Sequence, residues 1–220
     1  EMIHTYSLIH DDLPCMDNDD YRRGRLTNHK VYGEAMALLA GDGLLTLAFE
    51  GLLEQRNVAP STLVEMAHET AMCAGNFGMV GGQALDLASE GRQISAKELK
   101  TLHEGKTGAL FIAAIRGGAH LGGATDEQLL ALTRFAELIG LAFQIEDDIL
   151  DVTSTEAELG KPIGSDEKNH KSTYVTLFGL EGAKKMAEET TEEAMRCLDS
   201  FGEKAEALRE IARMMCHRNK

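Results

Sequence analysis

The sequence predicts an all-α protein, and three observations carry this prediction. Only three prolines occur in 220 residues, and helix-favouring residues such as Ala, Leu, Met, Glu and Lys are frequent. Apolar residues recur at helical spacing along most of the chain. A convincing alternation of apolar and polar residues, which would indicate a strand, is missing. The hydrophobic fraction of 43% indicates a folded protein, and the length suits one domain over residues 1–220.

The helices are expected in order along the chain. A first helix leads to Asp11, and Pro14 breaks or bends it because proline lacks a backbone donor. Residues 21–29 are polar and loop-like. Pro60 starts a later helix, and Ser95 with Glu98 forms a capping box that starts another. The further helices are expected at 31–53, 61–88, 95–122, 127–152, 173–180, 181–201 and 204–216, with a flexible loop over 153–171.

Two helices carry unusual residues. The helix over 31–53 is apolar enough for a membrane span, but Asp42 and Glu50 interrupt it and basic anchors are sparse, so a core helix is expected instead. In the helix over 61–88, Gly78, Gly81 and Gly82 weaken the helix. Their presence indicates that some other group, left unspecified by the sequence, closely approaches the backbone here.

The charge and the cysteines restrict the function. The formal net charge is −14, which repels nucleic acid, so an anionic ligand would need metal ions or clustered basic residues. The four cysteines form no CxxC pair and no zinc-like spacing with histidine. Reduced thiols and a cytoplasmic location are therefore expected.

Two acidic motifs lie far apart in the sequence, DDLPCMDNDDYRRG over residues 11–24 and EDDILD over 146–151. Asp147 and Asp151 share one face of an apolar helix, one turn apart. Asp11 and Asp17 would point apart by about 240° on an unbroken helix, and Pro14 allows them to converge. We expect the two motifs to face one pocket and to share divalent cations. Oxygen ligands that leave room for water and phosphate suit Mg²⁺, and the spacing does not match a calcium-binding EF-hand.

Basic residues accompany both motifs. Arg22 and Arg23 lie at the end of the first motif, after its aspartates, and guanidinium groups suit bidentate phosphate recognition. Lys106 and Thr107 add an ammonium and a hydroxyl group, and Lys161 follows the second motif. Each alone is typical of a surface, but together with the carboxylates they indicate a metal-diphosphate site.

These motifs resemble those of the trans-prenyl diphosphate synthases. The resemblance rests on DDLPCMDNDDYRRG, FQIEDDILD, GGQALDL, EGKTGAL and ELGKPIGSD with KSTY, in the family's order over essentially the whole chain. It is strongest to bacterial short-chain, farnesyl-type enzymes. It implies an isoprenoid-synthase helical bundle with a central cavity, a homodimer, and head-to-tail condensation of isopentenyl diphosphate with dimethylallyl or geranyl diphosphate.

The resemblance also implies roles for individual residues. Gln83 and Asp86 would support the metal waters and the allylic site, Gln144 the cavity near the second motif, and Arg23 would contact isopentenyl diphosphate. Three Mg²⁺ ions are expected in each site. The metal-binding residues would be Asp11, Asp12, Asp17, Asp86, Asp147, Asp148 and Asp151. The allylic diphosphate would be held by Arg22, Lys106, Thr107 and Lys161.

Tyr6 lies five residues before Asp11, and the resemblance to bacterial farnesyl-type enzymes implies that it closes the pocket for the growing chain. This predicts farnesyl diphosphate, a C15 product, with geranylgeranyl diphosphate as the alternative. An ordinary core aromatic is the other interpretation of Tyr6. The family's upstream isopentenyl-binding motif, Gly-Gly-Lys-x-x-Arg with a His, is not in this sequence, so we expect a domain that lacks the family's N-terminal helices and turns over poorly alone.

Two other functions compete with this interpretation. A class I terpene cyclase shares the fold, but its second metal motif is usually rich in Asn, Ser and Glu rather than DDILD, and RRG favours the synthase. A non-catalytic subunit of a prenyl synthase typically loses one aspartate motif, and both are intact here.

Overall fold

A computed structural model describes residues 1–154 and 171–216. Helices dominate these residues, as predicted, and the described strands form one hairpin of β1 (Tyr21–Arg22) and β2 (Arg25–Leu26). The α-helices are α1 (Met2–Asp11), α2 (Asn28–Tyr32), α3 (Glu34–Leu53), α4 (Pro60–Ala74), α5 (Met79–Ser89), α6 (Ala96–His103), α7 (Ala109–Leu121), α8 (Asp126–Thr153), α9 (Tyr174–Phe178), α10 (Leu180–Arg196) and α11 (Glu206–Cys216). A π-helical turn (Glu104–Gly108) joins α6 to α7, and a 3-10 helix (Asp199–Ala205) precedes α11.

The chain forms two compact units, and their described parts are residues 1–67 and residues 68–154 with 171–216. In the first unit α1 packs on α3, where His10 Nε2 lies 2.9 Å from the Leu38 carbonyl oxygen. Gly41 on α3 leaves the space that the His10 ring fills, because a Cβ there would lie 2.0 Å from the ring.

The expectation of a buried helix over 31–53 is wrong in two ways. Gly33, with φ of +87°, separates α2 from α3. Only Ala37 and Gly41 of α3 are buried, because α3 packs on α1 through one face and leaves residues such as Leu39 exposed. α3 and α8 are both long and apolar enough to cross a membrane, but core helices of soluble proteins also meet these criteria.

The second unit is built around α8, which at about 1.5 Å per residue is about 42 Å long. Thr125 caps α8 in a capping box with Gln128, a signal that the sequence contained and that was missed. Two apolar clusters cover α8. One includes Phe135 and Ile139, and the other includes Ile145 with Leu99. Because both ends of α8 are packed, the aspartates near its C-terminus are held on a rigid helix.

A partly buried ion pair connects further helices of the second unit. Glu69 on α4 accepts hydrogen bonds from Arg116 on α7, from its Nε at 2.9 Å and from Nη2. Arg116 Nη1 also donates to Thr133 Oγ1 on α8 at 2.7 Å. Arg116, through its hydrogen bonds, holds the pKa of Glu69 below its usual value despite the opposing effect of burial.

Several expected elements differ from the observed ones because tertiary contacts interrupt them. The helix over 61–88 is two helices, α4 and α5, and the helix over 95–122 is interrupted by the π turn. The capping box of Ser95 and Glu98 is confirmed. The loop over 21–29 contains the hairpin, whose turn residues Arg23 and Gly24 have φ of +52° and +73°, the signs that tight hairpin turns need. The loop over 153–171 falls largely outside the described residues.

Candidate active site

The first acidic motif reverses the chain after α1. α1 ends at Asp11 because of Pro14. Pro14 has no backbone N–H to donate, and in a continued helix its ring would clash with the carbonyl group four residues earlier. Proline also disfavours the helical conformation at the preceding residue, Leu13. The backbone N–H of Asp17 then donates to the backbone oxygen of Asp11 at 2.9 Å. The reversal brings Asp17 next to Asp11, as the argument from Pro14 required.

Arg22 is held by the first motif itself. Its Nε and Nη2 lie 2.8 and 2.6 Å from Asp12 Oδ1, and Nη2 lies 3.8 Å from Asp11 Oδ2. Asp12 is buried, with 3% of its surface exposed. Burial opposes the charged guanidinium, but the hydrogen bond and charge of Asp12, with the charges of Asp11 and Asp19, outweigh it and raise the pKa of Arg22. Arg22 is therefore a fully charged group beside the motif, and Asp12 is its main partner.

Arg23, in the first motif, and Tyr6, before it, are two further predicted residues of the first unit. Arg23 is exposed at the hairpin turn. Tyr6 is buried on α1, where burial raises its pKa, and its ring meets His10 edge-on with centroids 5.6 Å apart. Both interpretations of Tyr6, a pocket floor and a core aromatic, agree with this position.

The second motif lies at the C-terminal end of α8. Asp147 is half-buried, whereas Asp148 and Asp151 are 3% and 8% exposed. Asp151 Oδ1 is buried without a hydrogen-bond partner among the described residues. A buried carboxylate oxygen that lacks a donor is costly unless a cation or a water reaches it. Asp151 therefore has the character of a cation ligand.

Asp86 joins two lysines in the second unit. Lys106 Nζ lies 2.6 Å and Lys171 Nζ 3.3 Å from Asp86 Oδ2. Burial favours the neutral acid, but both ammonium groups outweigh it and lower the pKa of Asp86. Sequence reasoning gave no role to Lys171, although its KSTY motif was part of the resemblance. Asp86 and Gln83 occupy one face of α5 at a spacing of three residues.

The π turn puts Lys106 and Thr107 beside α5 and α8. A Cβ on Gly82 would lie 2.0 Å from the Lys106 backbone nitrogen, so the predicted close backbone approach is confirmed at this glycine. Thr107 Oγ1 donates to Gln144 Oε1 on α8 at 3.0 Å. π-helical turns are rare and often occur at functional sites.

His103, directly before this turn, is a buried residue that sequence reasoning missed. Its ring stacks on Tyr174 with centroids 5.8 Å apart, and neither ring nitrogen has a hydrogen-bond partner within residues 1–154 and 171–216. Burial lowers its pKa from 6.5 to about 4. The imidazole is therefore neutral at pH 7.

Lys161 lies outside the described residues. The second unit also has an apolar cleft of about 620 Å³ between α4, α5 and α7, lined by residues such as Phe77, Leu85 and Ile112. None of the predicted site residues within 1–154 and 171–216 lines this cleft, so it is distinct from the part of the candidate diphosphate site that these residues form.

The chain is similar to known proteins over its whole length. The family model for polyprenyl synthetase matches residues 1–215. A farnesyl diphosphate synthase of Geobacillus stearothermophilus is 48% identical over the whole chain and 74% of its own length. A geranylgeranyl diphosphate synthase of Cyanophora paradoxa is 49% identical over the same shares. The structure of a Helicobacter pylori geranyltransferase complexed with magnesium and isoprenyl diphosphate superposes with a TM-score of 0.86 at 39% identity, covering 97% of this chain and 70% of that one.

The all-α fold and both aspartate motifs thus belong to a prenyltransferase. The chain is a member of the polyprenyl synthetase family.

Proposed function

We propose that the protein condenses isopentenyl diphosphate with dimethylallyl or geranyl diphosphate, head to tail, and releases farnesyl diphosphate. The observation that carries the proposal is a combination of groups in the second unit. Asp151 on α8 has a buried carboxylate oxygen suited to a cation, and two lysines are paired with Asp86. Carboxylates for a metal and ammonium groups for phosphate are what a diphosphate-ionising site requires. Similarity to a farnesyl diphosphate synthase supports the product.

Mg²⁺ fits the donors that the chain offers. Asp11, Asp17, Asp147 and Asp151 supply oxygen ligands only, and the buried, unpartnered Asp151 Oδ1 needs a cation or water. Three Mg²⁺ ions per site remain our prediction. When bound, Mg²⁺ would stabilise the negative charge of the diphosphate leaving group.

The chain's own residues would hold the allylic substrate for ionisation. Lys106 and Lys171, with Lys161 and Arg22, would bind its diphosphate and stabilise the charge that develops as the C–O bond breaks. Apolar side chains would exclude water from the allylic cation. The isopentenyl double bond then attacks, with its diphosphate held by Arg23, and the proton is lost to the released diphosphate. This reaction needs no covalent nucleophile on the protein.

The product assay tests this function and the competing ones together. Protein expressed at full length is incubated with labelled isopentenyl and dimethylallyl diphosphates, and the products are sized. A C15 product is expected. A cyclised hydrocarbon would indicate a terpene cyclase, and no product would indicate a non-catalytic subunit.

A matched pair of variants then assigns the activity to the second motif. Asp147→Asn should lower kcat about 100-fold, the scale of one lost electrostatic contact in a transition state. Asp126→Asn, an exposed position at the other end of α8, should change kcat less than twofold. Equal effects would contradict the assigned role of Asp147.

Geranylgeranyl diphosphate is the second candidate product, because a geranylgeranyl diphosphate synthase is 49% identical. If buried Tyr6 closes the chain pocket, Tyr6→Ala should shift the product from C15 to C20 or longer. An unchanged product would leave Tyr6 as a core aromatic.

We also propose a cytoplasmic homodimer. Phe77 has 85% of its surface exposed beside the apolar cleft, an arrangement that favours burial against another chain. Light scattering of wild type and Phe77→Ser tests this: a dimer weakened by the substitution is expected, and a wild-type monomer would refute it.

A further inference from the structure

Protein groups engage both carboxylate oxygens of Asp148 in the second motif. Oδ2 accepts the backbone N–H of Tyr174 at 2.7 Å, and Oδ1 accepts Gln144 Nε2 at 3.4 Å. Only 3% of its surface is exposed. Asp151, one turn along α8 from Asp147, instead has an oxygen that lacks a donor in the described part of the chain.

The contact with the Tyr174 N–H joins α8 to α9. Tyr174 starts α9, so Asp148 satisfies one of the backbone donors that a helix N-terminus leaves open. Lys171, which reaches Asp86, lies three residues before Tyr174. The carboxylate on α8 therefore fixes the chain segment that carries this lysine.

The same carboxylate determines the direction of a hydrogen-bond chain. An ionised carboxylate only accepts hydrogen bonds, so Gln144 must turn its NH₂ group towards Asp148 and its oxygen away. That oxygen accepts the hydroxyl of Thr107 at 3.0 Å. Asp148 thus sets the orientation of Thr107, the neighbour of Lys106 in the π turn.

We propose that Asp148 is a positioning residue for the diphosphate site and not a metal ligand. It acts through Gln144 on Thr107 and through Tyr174 on the segment of Lys171, while Asp147 and Asp151 remain for the cation. This inference rests on the proposed function, and it divides the roles within the EDDILD motif.

A metal-binding measurement distinguishes the role of Asp148 from that of Asp147 without relying on catalytic turnover. Binding of Mn²⁺ in the presence of inorganic diphosphate is measured by electron paramagnetic resonance for wild type, Asp147→Asn, Asp148→Asn and the control Asp126→Asn. Asparagine at 148 keeps an acceptor for the Tyr174 N–H, and a flipped Gln144 amide can still meet it. We expect affinity to fall about tenfold or more in Asp147→Asn, and less than twofold in the other two. A tenfold loss in Asp148→Asn alongside Asp147→Asn would overturn the inference. No Mn²⁺ binding by wild-type protein would refute the proposed function itself.

The positioning role is tested by a double-mutant cycle with Thr107→Val. In Asp148→Asn the Gln144 amide is flipped, and we expect the KM for the allylic diphosphate to rise about fivefold to tenfold, the scale of one hydrogen bond. If Asp148 acts through Thr107, the same substitution should change KM less than twofold in the Thr107→Val background. Additive effects on KM would show general structural damage and overturn the proposal.

Discussion

The buried His103 makes the stability of the protein depend on pH in a direction that the structure fixes. Its pKa is lowered from 6.5 to about 4, first by burial, and the charges of Lys106 and Lys171 act in the same direction while Asp86 opposes them. Above pH 6.5 the imidazole is neutral in both the folded and the unfolded chain, so it has no effect. As the pH falls from 6.5 to 4, only the unfolded chain takes up the proton, and the free energy of unfolding decreases.

The size of this effect follows from the two pKa values. The full difference corresponds to about 3 kcal/mol, of which about 2 kcal/mol is lost by pH 5. For a chain of this length 2 kcal/mol lowers the Tm by about 4–8 °C. His103→Phe removes the titrating group and keeps an aromatic ring against Tyr174. It also removes the two buried ring nitrogens of His103 that lack hydrogen-bond partners among the described residues.

The assay is urea unfolding at pH 7.5 and pH 5.0 in EDTA, with wild type, His103→Phe and a control variant. The stability of wild type relative to His103→Phe should fall by about 2 kcal/mol between the two pH values. His4→Gln, which removes a half-exposed imidazole on α1, should follow wild type. His103→Leu provides a second non-titrating variant. A constant difference between wild type and both variants would show that His103 titrates as in water, and would refute the argument from burial.

Two further predictions concern packing and ion pairing in the second unit. Gly82→Ala puts a Cβ 2.0 Å from the Lys106 backbone nitrogen. This substitution should lower the free energy of unfolding in urea by about 2–3 kcal/mol and lower the affinity for inorganic diphosphate. The control Gly118→Ala, which has open space around it, should be neutral or stabilising by about 0.5 kcal/mol. Equal stability of these two variants would contradict the close approach. Glu69→Gln replaces the carboxylate that accepts two hydrogen bonds from Arg116 with a neutral amide and should cost about 2 kcal/mol at pH 7. Because Arg116 lowers the pKa of Glu69 below 4.5, this difference should be present above pH 4.5 and disappear as the pH falls through the folded-state pKa, and a difference independent of pH would argue against the ion pair.

Structural features that depend on a few neighbouring residues could be predicted from the sequence. The capping box of Ser95 and Glu98, the end of α1 before Pro14, and the close approach at Gly82 all follow from local chemistry. The aspartates on α8 were recognisable because carboxylates on an apolar helix face need a partner.

Features that depend on tertiary contacts were not readable. The π turn interrupts a continuous helical pattern because Gly82 and Gly105 let two backbones approach. The hairpin strands have two residues each, too few to show a period. The role of Lys171 was not readable from its KSTY motif, because only the folded chain brings it to Asp86. His103 gave no sequence signal, and the stacking on Tyr174 shows what it faces.

The pairing of Asp86 with two lysines also affects what a ligand must do when it arrives. Two ammonium groups brought this close repel each other, and the carboxylate between them makes the arrangement stable in the free protein. An incoming diphosphate would therefore bind lysine side chains that are already ordered, rather than two side chains that move freely in solvent. The entropy of ordering Lys106 and Lys171 is lost when the chain folds, so less of it opposes binding.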